Sequence, residues 1–246
     1  ESSTMSKAEK NDAIACAIET VDSSERKIPI IVGTGSNNTA SAIEMSIEAE
    51  KLGADGLLVV TPYYNKTTQK GLISHFRNIA NSVSLPIILY NVPSRTSMNI
   101  LPETVLELSK IDNIVGIKEA SGNISQVAKI ASLCGDDFAI YSGNDDQICP
   151  ILSLGGKGVI SVLSNVAPKL ACSITNSFFK KATDEACFYQ LQAMPLIEAL
   201  FAETNPIPIK SAINMLGFDF GVPRLPLVEC SANLKNKIRQ IYDTTK

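Results

Sequence analysis

The most informative segment of this chain is Ile114-Val115-Gly116-Ile117-Lys118-Glu119-Ala120-Ser121-Gly122. Its apolar beginning is typical of a short strand that is buried on both faces of a parallel sheet. The strand ends in a lone amine, Lys118. Burial favours the neutral form of a lysine, and a neutral amine can form a Schiff base with a carbonyl substrate. We therefore predict Lys118 as a nucleophile; the alternative is that Lys118 merely marks where the strand meets solvent.

Similar apolar runs recur along the chain, separated by segments with helical spacing. Strands that alternate with helices predict βαβ units and a parallel sheet. The predicted strands are residues 30–32, 56–60, 86–90, 114–118, 138–142 and 158–162. After residue 162 only helices are predicted, at 167–181, 184–203, 207–216 and 233–243. The pattern alone also allows an open doubly wound sheet.

Composition narrows the class of protein and of partner. The 246 residues are 45% hydrophobic and 19% charged, which suits a soluble globular protein with a sizeable core. A net charge of -3 gives no electrostatic case for nucleic acid or an anionic membrane as a partner. No apolar stretch approaches the ~18 residues of a membrane span. The polar start does not resemble a secretory signal, so we expect a cytoplasmic location.

Cysteine and histidine usage argues against a metal centre. The six cysteines are scattered and form no CxxC pair, so we predict free, mostly buried thiols in a reducing compartment. With His75 as the single histidine, we predict no metal site.

The strand ends offer the candidate site residues, because active sites of parallel α/β proteins lie at the carboxyl ends of the strands. Tyr90 ends the strand before that of Lys118, so its phenol can lie beside the amine and shuttle protons. Arg95 follows in a predicted loop, where a guanidinium can grip a substrate carboxylate. A core tyrosine and an exposed arginine are the alternatives. Of Tyr63 and Tyr64, we expect one in the core and the other at an interface or site.

Two further motifs have ordinary structural explanations. Gly33-Thr34-Gly35 lacks the third glycine of a dinucleotide fingerprint, which favours a plain tight turn between strand and helix. Asp145-Asp146 is predicted to begin a helix, with the acids acting as capping and dipole-complementing groups.

Taken together, six segments resemble the dihydrodipicolinate synthase family of the N-acetylneuraminate lyase superfamily of class I, Schiff-base aldolases. The resemblance covers essentially the whole chain and rests on residues 60–65, 90–96, 116–122, 142–145, 158–162 and 205–210. It implies a (β/α)8 TIM barrel with a C-terminal helical region. Residues 1–165 would form the barrel body, and residues 166–246 the last barrel helix and the helical region packed on it.

The resemblance also implies the reaction. Lys118 would form an imine with pyruvate, Tyr90 would relay protons, and Arg95 would position aspartate semialdehyde by its carboxylate. The implied steps are enamine formation, aldol addition and cyclisation with loss of water. No metal or organic cofactor is required, because the lysine itself provides the electron sink.

Three more residues receive roles from the resemblance alone. Tyr64 matches a tyrosine that reaches across a tight dimer interface into the neighbouring site. Ile160 matches a residue whose backbone carbonyl faces the bound substrate, and Gly143 is assigned to substrate binding. These matches imply a homodimer or homotetramer.

The resemblance departs from the family at the front of the chain. Glu1 matches the last residue of a Gly-Thr-Thr-Gly-Glu motif, so the family's first strand, first helix and second strand are apparently absent. If the 246 residues are the whole molecule, we expect poor stability and little activity. The alternatives are a pyruvate-dependent sugar-acid aldolase, such as N-acetylneuraminate or 2-keto-3-deoxygluconate lyase, and an inactive truncated fragment.

Regulation by lysine is a further point of departure. Lysine-inhibited members hold lysine with histidine and glutamate at the dimer interface. The matching places here carry Lys7, Lys10 and Ser41. Because like charges repel an incoming ammonium group, we expect insensitivity to lysine.

Overall fold

The structure, a computed structural model, describes residues 1–245. The strands are β1 (Ile31–Gly33), β2 (Gly56–Val60), β3 (Ile87–Asn91), β4 (Ile114–Glu119), β5 (Ala139–Ser142) and β6 (Gly158–Val159). The helices are α1 (Lys7–Ser23), α2 (Thr39–Leu52), α3 (Gln69–Ala80), α4 (Pro93–Thr96), α5 (Pro102–Leu108), α6 (Ile124–Cys134), α7 (Ile148–Ser153), α8 (Pro168–Phe179), α9 (Thr183–Phe201), α10 (Ile207–Met215) and α11 (Ala232–Thr245).

The chain divides into two compact units. The sheet unit comprises Ser6–Gly143 and Leu154–Lys157. The helical unit comprises Glu1–Met5, Asn144–Ser153 and the chain from Gly158 onward. The predicted division into 1–165 and 166–246 stays a prediction, and residue 246 lies outside the described residues.

The sheet unit carries β1 to β5 as parallel neighbours in the order of the sequence. An open doubly wound sheet would reverse its strand order at a switch point, so that alternative is wrong for these strands. Side chains on the face of the sheet opposite Tyr90 and Lys118, such as Leu57, Leu89 and Ile117, are fully buried. The prediction that the Lys118 strand is buried on both faces needs one correction, because Val115 is 38% exposed.

Side-chain caps explain where the helices of the sheet unit begin. The Ser6 hydroxyl accepts a hydrogen bond from the Glu9 N–H, and the Glu9 carboxylate accepts one from the Ser6 N–H. Together the two bonds form a capping box at α1. The side chains of Asn38, Thr68 and Asn123 accept backbone N–H groups at the starts of α2, α3 and α6, without the reciprocal bond of a capping box. These caps satisfy amide groups that have no partner within the helix.

The helical unit has its own apolar core. Helices α8, α9, α10 and α11 bury a contiguous cluster that includes Ile174, Leu196, Leu200 and Ile238. The predicted switch from strands to helices after residue 162 is therefore confirmed. None of the helices within the described chain is both long and apolar enough to cross a bilayer.

Strand β6 is shorter than predicted, because it ends at Val159 and not at residue 162. One carboxylate oxygen of Asp145 accepts the N–H groups of Val162 and Leu163, at 3.0 and 2.9 Å. The amide of residue 162 is therefore occupied by a side chain and not by a neighbouring strand. Asp145 does stand at the start of a helical turn, but its buried side chain ties down this loop instead of capping a helix, which corrects the prediction.

The cysteines also differ from their predicted environment. All six are free thiols, as predicted, but only Cys149 and Cys230 are buried. Cys16, Cys172 and Cys187 are exposed, so the expectation of mostly buried thiols was wrong. Their helices turn these positions toward solvent, which the spacing of the cysteines could not indicate.

Candidate active site

Lys118 and Tyr90 meet at the carboxyl ends of two neighbouring strands. They are register partners in the pairing of β3 with β4. The Lys118 Nζ atom lies 4.2 Å from the centre of the Tyr90 ring, and both residues are half-buried. The structure thus brings together the two residues that the sequence predicted to share a site. An amine beside a phenol is an arrangement in which one group can attack a carbonyl while the other moves a proton.

The environment of Tyr90 keeps its phenol protonated. Burial raises the pKa of Tyr90 above its usual value of 10.0, and the charge of Arg95 opposes that rise. The phenol therefore holds its proton at neutral pH and can donate it to a developing negative oxygen.

Arg95 lies on a short helix and not in a loop, which corrects the prediction. Pro93 opens α4 at a position where its fixed φ suits a helix and its missing N–H is not needed. The Arg95 N–H donates to the Val92 carbonyl at 2.9 Å, which closes the turn. Its side chain is exposed, and its charge acts on Tyr90. A guanidinium so placed can receive a carboxylate.

Gly143 leaves the space that the Lys118 side chain occupies. A Cβ atom at this position would lie 2.6 Å from the Ala120 Cβ, 3.1 Å from the Glu119 carbonyl oxygen and 3.2 Å from the Lys118 Cε. Its N–H donates to the same Glu119 carbonyl at 2.8 Å. A residue with a side chain would therefore press on the lysine.

Tyr63 and Tyr64 follow β2, and neither belongs to the core. Tyr63 is 40% exposed and Tyr64 is 93% exposed, so the expectation of one core tyrosine was wrong. Tyr64 adopts a φ of 71°, which is unusual for a residue with a side chain. Ile160 lies in the helical unit, directly after β6, and is half-buried. The roles predicted for Tyr64 and Ile160 stay predictions.

Metal-binding groups are sparse. Among residues 1–245, no cluster of three or more histidine, cysteine, aspartate or glutamate side chains is placed to hold a metal ion. His75 is buried, and its Nδ1 atom lies 2.9 Å from the Thr39 hydroxyl. Burial lowers the pKa of His75, so the ring is protonated less readily in the folded protein than in the unfolded chain.

Comparison with known proteins assigns the chain to a family. The model of the Dihydrodipicolinate synthetase family matches residues 1–245. The chain belongs to this family. Membership agrees with the strand-end motifs around Tyr90 and Lys118, on which the resemblance was drawn.

Named members of the dihydrodipicolinate synthetase family are similar over nearly all of the chain. The 4-hydroxy-tetrahydrodipicolinate synthase 1 of Clostridium acetobutylicum is 58% identical over 236 residues, which are 96% of this chain and 79% of that protein. The crystal structure of dihydrodipicolinate synthase from Thermotoga maritima matches with a TM-score of 0.96 and 43% identity, covering 99% of this chain and 83% of that one. The chloride-inhibited enzyme from Acinetobacter baumannii, complexed with pyruvate, matches with a TM-score of 0.95 and 39% identity, covering 100% and 83%.

Two polar residues near the site of this family member had no predicted role. Asn91 and Glu119 each follow a predicted site residue directly, and both are buried. The sequence could have indicated them, because a polar residue directly follows each of two predicted apolar strands. Only the strand register shows that they are partners.

Proposed function

We propose that this chain catalyses the condensation of pyruvate with aspartate semialdehyde to 4-hydroxy-tetrahydrodipicolinate, a step of lysine and diaminopimelate biosynthesis. The observation that carries the proposal is the Lys118 amine, half-buried and 4.2 Å from the centre of the Tyr90 ring. The names of the relatives and the pyruvate bound in one of them support the choice of substrates.

The proposed chemistry begins with imine formation. The lone pair of the neutral Lys118 amine attacks the keto carbon of pyruvate, and Tyr90 relays protons to the keto oxygen, which leaves as water. Loss of a methyl proton gives an enamine, whose carbon attacks the aldehyde carbon of the second substrate. The amino group of that substrate then closes the ring onto the imine carbon and releases Lys118. The imine nitrogen accepts the electron pair, so the proposal requires no metal or organic cofactor.

The remaining site residues have proposed supporting roles. Arg95 binds the carboxylate of aspartate semialdehyde, since a guanidinium can make two parallel hydrogen bonds to it. Gly143 and the Ile160 carbonyl contribute to substrate binding. Tyr64, with its 93% exposed side chain, reaches the site of a second copy of the chain, which makes the working form a homodimer or homotetramer.

The proposal includes the finer fold and the location. We place the strands in a (β/α)8 barrel, which the sequential order of β1 to β5 supports. A cytoplasmic location is supported by six free thiols, which are usual in a reducing compartment.

Chemical trapping tests the proposal directly. The protein is incubated with pyruvate, reduced with borohydride and digested, and the modified lysine is located by peptide mass. We expect the adduct on Lys118 and none in Lys118→Arg, which keeps a long basic side chain but cannot form the imine. Lys110→Arg is the matched control, because this exposed lysine pairs with its neighbour Glu107 and its exchange leaves the adduct on Lys118. An unmodified Lys118 in the folded protein would overturn the proposal.

A further inference from the structure

We propose that Glu119, acting through Asn91, is a positioning residue that holds the Lys118 amine and the Tyr90 phenol in their reactive arrangement. The inference rests on the proposed function, because it concerns how that chemistry is held in place. Neither residue touches the substrate.

The strand register places Asn91 and Glu119 directly after the two reactive residues. Asn91 pairs with Glu119 one position after the pairing of Tyr90 with Lys118. Successive side chains of a strand point to opposite faces of the sheet. Glu119 and Asn91 therefore lie behind the two reactive side chains. Any shift of this pair moves the backbone that carries Lys118 and Tyr90.

The Glu119 carboxylate is buried among neutral hydrogen-bond donors. Glu119 is only 1% exposed, and Asn91 is fully buried. The Asn91 side-chain amide donates to both Glu119 oxygens, at 3.2 and 3.0 Å. The Ser121 N–H donates at 2.7 Å and the Gln126 amide at 3.2 Å. Four hydrogen bonds thus join the ends of β3 and β4 to α6 and to the turn that precedes it.

The side-chain amides around Glu119 form a closed network of hydrogen bonds. Asn91 also donates to the Asn99 side-chain oxygen at 2.8 Å and accepts the Ile100 N–H at 3.0 Å. Asn99 and Gln126 exchange two hydrogen bonds, at 2.8 and 3.1 Å. Because each amide is both donor and acceptor, its orientation depends on its neighbour. Glu119 accepts at every contact and, together with the Ile100 N–H, fixes the orientation of the Asn91 amide and thereby of the network.

This network allows a variant that reverses its polarity. In Glu119→Gln the new amide nitrogen faces the amide nitrogen of Asn91, and two donors meet. In the double variant Asn91→Asp/Glu119→Gln the carboxylate moves to β3, and the glutamine donates to it. Asn99 and Gln126 can turn their amides over, and Asp at position 91 still accepts the Ile100 N–H. The double variant therefore restores the hydrogen bonds at the Oε2 position that the single variant breaks. It loses only the 3.2 Å bond between residue 91 and the Oε1 position, where the Ser121 N–H still requires an oxygen.

The test measures the rate at which pyruvate becomes trappable on Lys118, at saturating pyruvate and at a temperature where circular dichroism shows each variant folded. We expect Glu119→Gln to lower this saturating rate by about 10- to 100-fold, since a misplacement of ~1 Å can cost roughly 10²-fold. The double variant should regain most of the loss. The matched control is Glu103→Gln, which removes an exposed carboxylate of α5 that pairs with Lys129 and should leave the rate unchanged.

The outcomes separate this inference from the proposed function. If the unaltered protein forms no adduct, the proposed function fails. If it does, and folded Glu119→Gln is trapped at the unaltered rate with only a lower melting temperature, the network is merely structural and the inference is wrong. If Glu119→Gln does not fold, a folded double variant with a slow rate overturns the inference, and one with a near-normal rate supports it. Should both fail to fold, Gln126→Leu removes one hydrogen bond of Glu119, and an unchanged rate in that variant overturns the inference.

Discussion

Replacing Gly143 by alanine tests how tightly the Lys118 side chain is held. The added Cβ atom would meet the Ala120 Cβ at 2.6 Å and the Lys118 Cε at 3.2 Å. Carbon atoms in favourable contact are about 3.5–4.0 Å apart, so the first contact is short by ~1 Å. The backbone at residue 120 or 143 must move to relieve it, and the Lys118 side chain must yield to the second contact.

The size of the effect follows from that overlap. Forcing one extra methyl group into a packed region costs about 1–3 kcal/mol. For a chain of this size each kcal/mol lowers the melting temperature by about 2–4 °C, so we expect a fall of a few to roughly 10 °C. Displacing the reactive amine by up to ~1 Å should slow imine formation by as much as roughly 10²-fold. Activity should thus suffer far more than folding.

The assay is borohydride trapping with pyruvate, combined with a thermal melt of the same samples. Gly33→Ala is the matched control, because a Cβ atom at this strand end meets nothing within 4 Å. Adding Ala120→Gly to Gly143→Ala removes the 2.6 Å contact and should restore part of the rate. If Gly143→Ala alone is trapped as fast as the unaltered protein and has the same melting temperature, the Lys118 side chain does not depend on the space at Gly143.

Three further predictions concern single groups. Tyr90→Phe keeps the ring beside Lys118 but removes the phenol proton, so steady-state turnover should fall by about 10²- to 10⁴-fold with little change in melting temperature; a fall of less than threefold would exclude a proton relay. The pKa of His75 in the folded protein lies below 6.5, so the unfolded chain binds the proton more readily. The free energy of unfolding should therefore decrease as the pH falls from 6.5 toward the folded pKa, by up to ~1.4 kcal/mol per pH unit. Melts from pH 7.5 to 5.0 should therefore show a smaller decline for His75→Gln than for the unaltered protein, and parallel declines would contradict this. Turnover should be insensitive to sub-millimolar lysine, because Lys7 and Lys10 are cations and the Lys7 ammonium already holds Glu44 at 2.6 Å; inhibition in that range would show the expectation to be wrong.

Much of the fold follows from patterns within single segments. The six strands were predicted within about three residues at each end, because apolar runs and the turns beside them are local features. The helices after residue 162 followed from spacing of the same kind. The misjudged elements depend on distant partners: the amide of Val162, predicted in the last strand, donates to the Asp145 side chain instead. One of Tyr63 and Tyr64 was expected in the core, although their loop leaves both side chains exposed.

The chemical groups of the site and the strand ends that carry them follow from the amino-acid sequence alone, because residue type and local periodicity need no partner. The folded chain is needed to see that Lys118 lies over the Tyr90 ring, that Gly143 clears space for the lysine, and that a buried carboxylate lies behind both reactive groups. These contacts join residues about 25 or more positions apart in the chain. They depend on strand register and side-chain packing, which are properties of pairs of segments and cannot be obtained from either segment alone.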